Sequence, residues 1–238
     1  CTDDYTVAVT GVRLYVMNRL DGKLLWIQDA YTTTDRFPYS EPTPLGFNYI
    51  RNSVKVVIDA YDGSVDMYVA DPTDGIINTY ASVFPKLFKS LEQMPPALLE
   101  HIRYPEDFFE IQARKYLKFH MTVPQVFYNQ EDLWQVPSEL FFEDSQPMEP
   151  YYVIMKLPEE DSEEFVLILP FTPANKPNLV GWLAARNDAP NYGNLMAFTF
   201  PKDRQVDGVQ QVEAQINWTI NRIWSRHFGA FQAVETWT

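Results

Sequence analysis

The chain has 238 residues, enough for one large domain or two small ones, and its 46% hydrophobic content with only 9 Gly excludes a disordered polymer. Its 32 Asp and Glu against 19 Lys and Arg leave a net charge of −13. That charge repels phosphate backbones and argues against nucleic acid as a partner. The single cysteine allows no intrachain disulfide. The longest uninterrupted apolar stretch, Phe165 to Leu169, is far short of the ~20 residues a bilayer span needs. No charged start followed by an apolar core marks a signal peptide, so the chain reads as a soluble piece.

Two hairpins come first. Val12–Val16 leads through Leu20-Asp21-Gly22 into Lys23–Ile27, and Val54–Ala60 leads through Tyr61-Asp62-Gly63 into Ser64–Val69. Asp-Gly between alternating β-rich runs is a hairpin signal because Gly accepts positive φ. Between the hairpins, Pro38, Pro42, Pro44 and Gly46 predict an irregular connection. Residues 76–91 then carry apolar side chains at Ile77, Tyr80, Val83, Phe84, Leu87, Phe88 and Leu91, a 3.6-residue stripe that predicts a helix with a buried face. Pro85 predicts a kink or break in it. Pro96 opens a short helical turn. Pro105-Glu106-Asp107 starts the clearest helix, 105–120, with Pro in the first turn and acids at the positive end of the dipole. Its expected buried face is Phe108, Phe109, Ile111, Gln112, Tyr116, Leu117 and Phe119, and its basic residues Arg114, Lys115 and Lys118 form a polar face and C-terminal end.

Residues 121–149 are Pro-broken. Tyr151–Leu157 and Phe165–Leu169 read as strands joined by a solvated acidic tip, 158–164. Asn178–Arg186 reads as a short helix capped by Asn178, with Leu179, Trp182 and Leu183 on one face. Leu195–Phe200 and Val209–Ile216 read as strands. The expected fold class is α+β: largely antiparallel sheet, two N-terminal hairpins, a helical middle and a C-terminal ββαββ segment. The expected divisions are 1–75, 76–149, 150–217 and an atypical tail, 218–238.

No catalytic set emerges. The acids Asp59, Asp62, Asp66, Asp71 and Asp74 lack EF-hand spacing and read more simply as turn residues. His101, His120 and His227 form no close metal-ligating pair. Glu106/Glu110 reads as a solvated helix face. No Gly-x-Ser-x-Gly elbow or phosphate-cradling glycine loop is present. No metal or cofactor is implied. The ligand-binding candidates are Asn175, Asn187, Asp188, Asn191 and Tyr192, in two polar loops stiffened by Pro, 172–177 and 187–192, and Arg186 just before the second. Arg186 and Arg51 would pair with buried carboxylates or with an anionic ligand.

Several long stretches carry a resemblance. They are Asp29–Ser40, Asn48–Lys55, His101–Asp107, His120-Met121-Thr122 with Pro124–Asn129, Glu131–Trp134, Glu149–Tyr152 and, above all, Pro170–Asp188. In this order, over about Asp21 to Ile216, the chain resembles the Uncharacterised Protein Family 0182, large bacterial multi-pass membrane proteins of unknown function. It departs from the family pattern at Val123, where Asp is usual, and after Ile216. The resemblance brings no catalytic residues. It implies a segment on the extracytoplasmic side of the cell membrane, whose partners are the membrane helices of its own full-length chain, with a protein partner or self-association also open. A strand missing beyond this segment would leave a sheet edge unpaired. Cys1 matches the first residue of a mature lipoprotein, but the resemblance favours a boundary inside a longer chain.

The leading expectation is therefore a non-enzymatic domain serving binding, assembly or envelope maintenance. The rival is an envelope hydrolase or metal-dependent enzyme using Asp59, Asp66, Glu106 and Asp107 as its carboxylates.

Overall fold

The structure is a computed structural model and describes residues 5–10, 13–18, 23–141, 144–201, 203 and 205–219. Cys1, His227 and the tail beyond residue 219 lie outside the described residues. The chain divides into two compact units, Cys1–Pro105 and Glu106–Thr238.

The first unit is built on a sheet of β1 (Tyr5–Thr10), β2 (Arg13–Asn18), β3 (Lys23–Thr34), β4 (Tyr49–Asp59), β5 (Val65–Val69) and β6 (Phe88–Ser90), in that spatial order. All pairs are antiparallel except β5 with β6. The first expected turn, Leu20-Asp21-Gly22, lies outside the described residues, but β2 and β3 pair on either side of it, with Asn18 opposite Lys23. The second forms as expected. Asp59 Oδ1 accepts the Tyr61 N–H at 2.8 Å, Asp62 Oδ1 accepts that of Ser64 at 2.8 Å, and Gly63 takes φ +72°. The Pro-rich 36–48 connection is irregular, pinned by Asn48, whose amide bonds both the N–H and the carbonyl of Phe37.

The expected helix over 76–91 is shorter. Helix α1 (Gly75–Val83) stops before Pro85, and the chain returns as β6 beside β5. This is the crossover that a parallel strand pair requires. Of the expected buried stripe only Ile77 is buried within α1, while Tyr80, Val83, Phe84 and Leu87 are exposed. A second short helix, α2 (Pro96–Leu99), starts at Pro96 as expected and buries Leu98.

The second unit opens with α3 (Glu106–Phe119), which buries Phe108, Phe109 and Ala113. Phe119, expected in the buried face, is exposed and leans on Phe127 of α4 (Pro124–Asn129), ring centroids 5.4 Å apart. Then follow β7 (Trp134–Gln135), a hairpin of β8 (Ser138–Phe141) and β9 (Asp144–Pro147), and a sheet of β10 (Tyr151–Lys156), β11 (Glu163–Pro173), β12 (Gly181–Arg186) and β13 (Leu195–Thr199). All pairs are antiparallel, and β7 adds to the far end of β11.

The α+β class and the antiparallel sheets stand as expected, but two elements of the C-terminal ββαββ segment exchange character. Asn178–Arg186, expected as a helix, contains strand β12. Its Leu179-Trp182-Leu183 spacing also fits a strand buried on both faces, and the pairing with β11 and β13 decides. Val209–Ile216, expected as a strand, lies in a helix, α5, over residues 209–219. The Gly208 N–H donates to Gln211 Oε1 at 2.8 Å and the Val212 N–H to the Gly208 carbonyl at 3.0 Å, so local bonds override the β-branched composition.

On one face of the second sheet the two central strands are buried, through Leu167, Leu169, Phe171, Leu183 and Ala185, while Ile154 of β10 and Leu195 of β13 on that face are exposed. The other carries Val166 and Ala184, with Val153, Met155, Ile168, Trp182, Met196 and Phe198 partly buried around them. Trp182 stacks on Phe198 at 4.3 Å. At Gly181 a Cβ would lie 2.5 Å from the Phe198 carbonyl oxygen, so the backbones of β12 and β13 approach there as only glycine allows. Gly181→Ala is expected to cost about 1–3 kcal/mol, read as a lower midpoint in chemical denaturation with an unchanged m-value.

Candidate functional site

The six expected ligand residues do not form one site. Arg186 is buried at the end of β12. The register Val166↔Arg186 sets Glu164 diagonally across on the same face. Arg186 Nε donates to Glu164 Oε2 at 2.6 Å, Nη2 donates to Glu164 Oε1, and Nη1 donates to Glu160 Oε1 at 2.7 Å. The Glu164 carboxylate raises the guanidinium above its usual value against the opposing effect of burial, and Glu160 adds to the rise. Its charge is therefore spent inside the protein.

Asn187, Asp188 and Asn191 build the turn after β12. Asn187 is buried and donates its amide to the Ala185 carbonyl at 3.1 Å. Asp188 Oδ2 accepts the Phe165 N–H at 2.7 Å, and the Asn191 N–H donates to the Asp188 carbonyl at 2.9 Å. The Ala189–Pro190 bond in this turn is cis, and Tyr192 lies half-buried within it. Asn175 is exposed in the loop before β12, at the other end of a six-residue strand and so ~20 Å away.

Asn175 opens onto a groove of about 900 Å³. Residues 130–133, 173–176, 178–180, 200, 201, 203 and 205 wall it. Gln130, Asn175, Asn178 and Gln205 supply amides, Glu131, Asp132 and Asp203 carboxylates, and Leu133, Leu179, Val180 and Phe200 apolar surface. Lys176 stands beside Asn175, and both also border a smaller cavity of about 240 Å³. Main-chain bonds tie the walls together. The Ala174 N–H donates to the Leu133 carbonyl, Leu179 to Val206, Val180 to Phe171 and Phe200 to Val180, all at 2.9 Å. Glu131 accepts the Asn129 side-chain amide at 2.7 Å, and Gln130 turns the chain with φ +53°. Loops held this way can present hydrogen-bonding groups at little ordering cost.

Beside the groove segment, Trp134 is buried against His120, with ring centroids 3.7 Å apart and planes 19° from parallel. Tyr116 and Phe171 complete the cluster. His120 Nδ1 contacts the Tyr116 carbonyl at 3.1 Å. His120 Nε2 and Trp134 Nε1 are buried without a hydrogen-bond partner among the described residues. Two of the sequence stretches singled out above, His120-Met121-Thr122 and Glu131–Trp134, thus meet in space.

In the first unit the acids are committed locally. Asp59 and Asp62 hold a turn, Asp66 Oδ1 accepts from Lys89 Nζ at 2.6 Å, and Asp71 Oδ1 accepts the Thr73 N–H at 3.0 Å. Arg51 lies 3.9 Å from Asp71, a partly exposed partner rather than a buried one. In the second unit, Glu106 reaches solvent at the start of α3. Crowding by surrounding protein, then the like charges of Glu149 and Asp107, raise its carboxyl. The four carboxylates of the rival reading are divided, Asp59 and Asp66 in the first unit, Glu106 and Asp107 in the second. Among the described residues, no three His, Cys, Asp or Glu side chains group as metal ligands.

Asp74 is the acid whose role sequence reasoning missed. It is 2% exposed. Its carboxylate accepts from Thr32 Oγ1 and Ser53 Oγ at 2.6 Å, from Tyr49 OH at 2.7 Å and from the Ile76 N–H at 3.0 Å, which caps α1. Burial pushes this carboxyl up, but the Ser53, Thr32 and Tyr49 hydroxyls and the Ile76 N–H together outweigh it and leave it at about 2. The available signal was Asp at the cap position before a helical run. Its hydroxyl partners, 21 to 42 residues away, could not be read from spacing.

A family model described as Uncharacterised protein family (UPF0182) matches residues 2–223. The chain is 56% identical over 197 residues to a UPF0182 protein of Pelotomaculum thermopropionicum, covering 83% of this chain and 22% of that one. It is 53% identical over 216 residues to the UPF0182 protein alr1037 of Nostoc sp., covering 91% and 21%. It is 57% identical over 195 residues to one of Microcystis aeruginosa, covering 82% and 20%. The chain thus spans about a fifth of the length of these curated relatives. No solved structure matches it.

Two substitutions test the buried charges. A carboxyl lowered from 3.8 to about 2 stabilises the fold above the unfolded-state value, and that stability is lost as pH falls through the folded value. Asp74→Asn is expected to cost about 2 kcal/mol at pH 7 and much less near pH 2, measured by denaturation across that range. Arg186→Met strands Glu164 and is expected to cost about 3–5 kcal/mol, whereas Arg186→Met with Glu164→Leu recovers most of it.

Proposed function

Because the chain belongs to the uncharacterised protein family UPF0182 and spans about a fifth of its curated members, we propose that it is a non-enzymatic binding domain on the extracytoplasmic side of a multi-pass bacterial membrane protein. Its work is docking, assembly or envelope maintenance, together with the membrane helices of its own full-length chain. The observation that carries the binding role is the groove of about 900 Å³, whose amide-bearing walls are tied to a buried sheet by main-chain bonds. Such a site suits a polar ligand or an extended peptide, recognised by Gln130, Asn175, Asn178 and Gln205. The rival hydrolase reading draws nothing from Asp59 and Asp66, which serve a turn and Lys89. The family resemblance is what supports the membrane placement; no described helix is long and apolar enough to cross a bilayer.

Cysteine labelling tests both parts in one experiment. In the full-length protein with its native cysteines replaced, Asn175→Cys at the groove and Ser162→Cys on the exposed β10–β11 tip are treated with a membrane-impermeant maleimide. Both are expected to label in intact cells, with Asn175→Cys several-fold slower than Ser162→Cys, and at matching rates in the purified 238-residue chain. Labelling of neither until the cells are lysed would place the domain on the cytoplasmic side. Matching rates in cells as well as in the purified chain would mean that nothing occupies the groove.

A further inference from the structure

The stripe that sequence periodicity marks as a buried helix face is the most exposed apolar surface of the first unit's crossover. Tyr80 is 53% exposed, Val83 61%, Phe84 50% and Leu87 47%. The first three lie at i, i+3 and i+4 on the last turn of α1 and its cap, so they are neighbours on one face. The Leu87 N–H donates to the Phe84 carbonyl at 3.0 Å and keeps Leu87 in the turn that follows. The parallel register Met67↔Phe88 then sets Leu87 level with the start of β5, where Val65 is 49% exposed. A contiguous apolar patch of this kind marks a contact surface.

The charge around it indicates which contact. A chain with 32 acids has none from Gly75 to Leu91, while Lys86 and Lys89 fall inside that window. Lys89 is held by Asp66, but Lys86 is exposed at the edge of the stripe and meets no charged partner among the described residues. Exposed aromatic and aliphatic side chains flanked by lysine, on an otherwise acidic chain, fit the boundary between headgroups and acyl chains. There the rings and aliphatic groups enter and the ammonium meets phosphate.

We propose that the α1–β6 turn, through Tyr80, Val83, Phe84, Leu87 and Lys86, seats the first unit on a lipid bilayer surface. This rests on the reading that the domain stands beside a membrane, but not on which side it stands.

The test is co-sedimentation of the 238-residue chain with vesicles of phosphatidylethanolamine and phosphatidylglycerol, and with vesicles of phosphatidylcholine. The chain is expected to bind the first set. Phe84→Ser with Leu87→Ser should lower the bound fraction at limiting lipid roughly tenfold, with the fold retained and only a small drop in thermal midpoint because both side chains are about half exposed. Lys86→Glu should weaken binding to the phosphatidylglycerol vesicles more than to phosphatidylcholine. No binding by the parent chain, or a double variant that binds as well as the parent, overturns the proposal. Concentration-dependent dimerisation abolished by the double variant, without vesicle binding, would also overturn it and assign the stripe to a second copy. Vesicle binding together with cysteine labelling only after lysis would sustain the lipid contact and remove the extracytoplasmic placement.

Discussion

Taking a charged side chain out of water costs several kcal/mol unless the protein supplies partners for it, and each unit is arranged around meeting that requirement. In the first, the Asp74 carboxylate is surrounded by Thr32 from β3, Tyr49 and Ser53 from β4, and the N-terminus of α1. One buried group thereby fixes where the helix begins relative to two strands. On the same strands Lys55 is 1% exposed, directly opposite Asp29, and donates to its carboxylate and to the Arg103 carbonyl. In the second unit Arg186 plays the matching part, joining β12 to Glu164 of β11 and to Glu160 in the tip before it. The sheets supply apolar burial, and these polar contacts specify register, because a one-residue slip would move each charge to the opposite face.

The same constraint separates the structural polar residues from the available ones. Arg186, Asn187 and Asp188 look like ligand groups in sequence, yet their donors and acceptors are used by neighbouring strands and turns. Asn175 differs because its loop is fastened by main-chain bonds on either side, which leaves its amide facing the groove wall. A site made this way is preorganised by the sheet and not by its own side chains, so substitutions at its rim should change binding before they change stability.

The two sheets differ in what covers them. The second unit places α3 and the Trp134–His120 cluster against Phe171 at the end of the face that is buried on β11 and β12, while the opposite face stays partly buried around Trp182 and Phe198. The first unit packs its helix by Ile77 and presents the rest of the stripe outward.

The sequence by itself determined the antiparallel α+β class, the Asp-Gly turn of the second hairpin, the starts of α2 and α3 at their prolines, the end of α1 before Pro85, and the family. Each is a local property of a few adjacent residues, or of long ordered matches. Only the tertiary structure decided that Asn178–Arg186 contains a strand, because spacing at 179, 182 and 183 fits either form and pairing with β11 and β13 resolves it. Val209–Ile216 is a helix for a local reason, the contact between Gly208 and Gln211 at its start, which the strand expectation passed over. Tertiary structure also exposed a stripe that periodicity alone assigns to a core, because periodicity shows that a face is apolar but not what lies against it. Of the six candidate site residues it left Asn175 at the groove and assigned Arg186, Asn187, Asp188 and Asn191 to the fold, and it gathered Thr32, Tyr49 and Ser53 onto Asp74. Hydrogen bonds between residues tens of positions apart depend on strand register, and register is a property of the whole sheet.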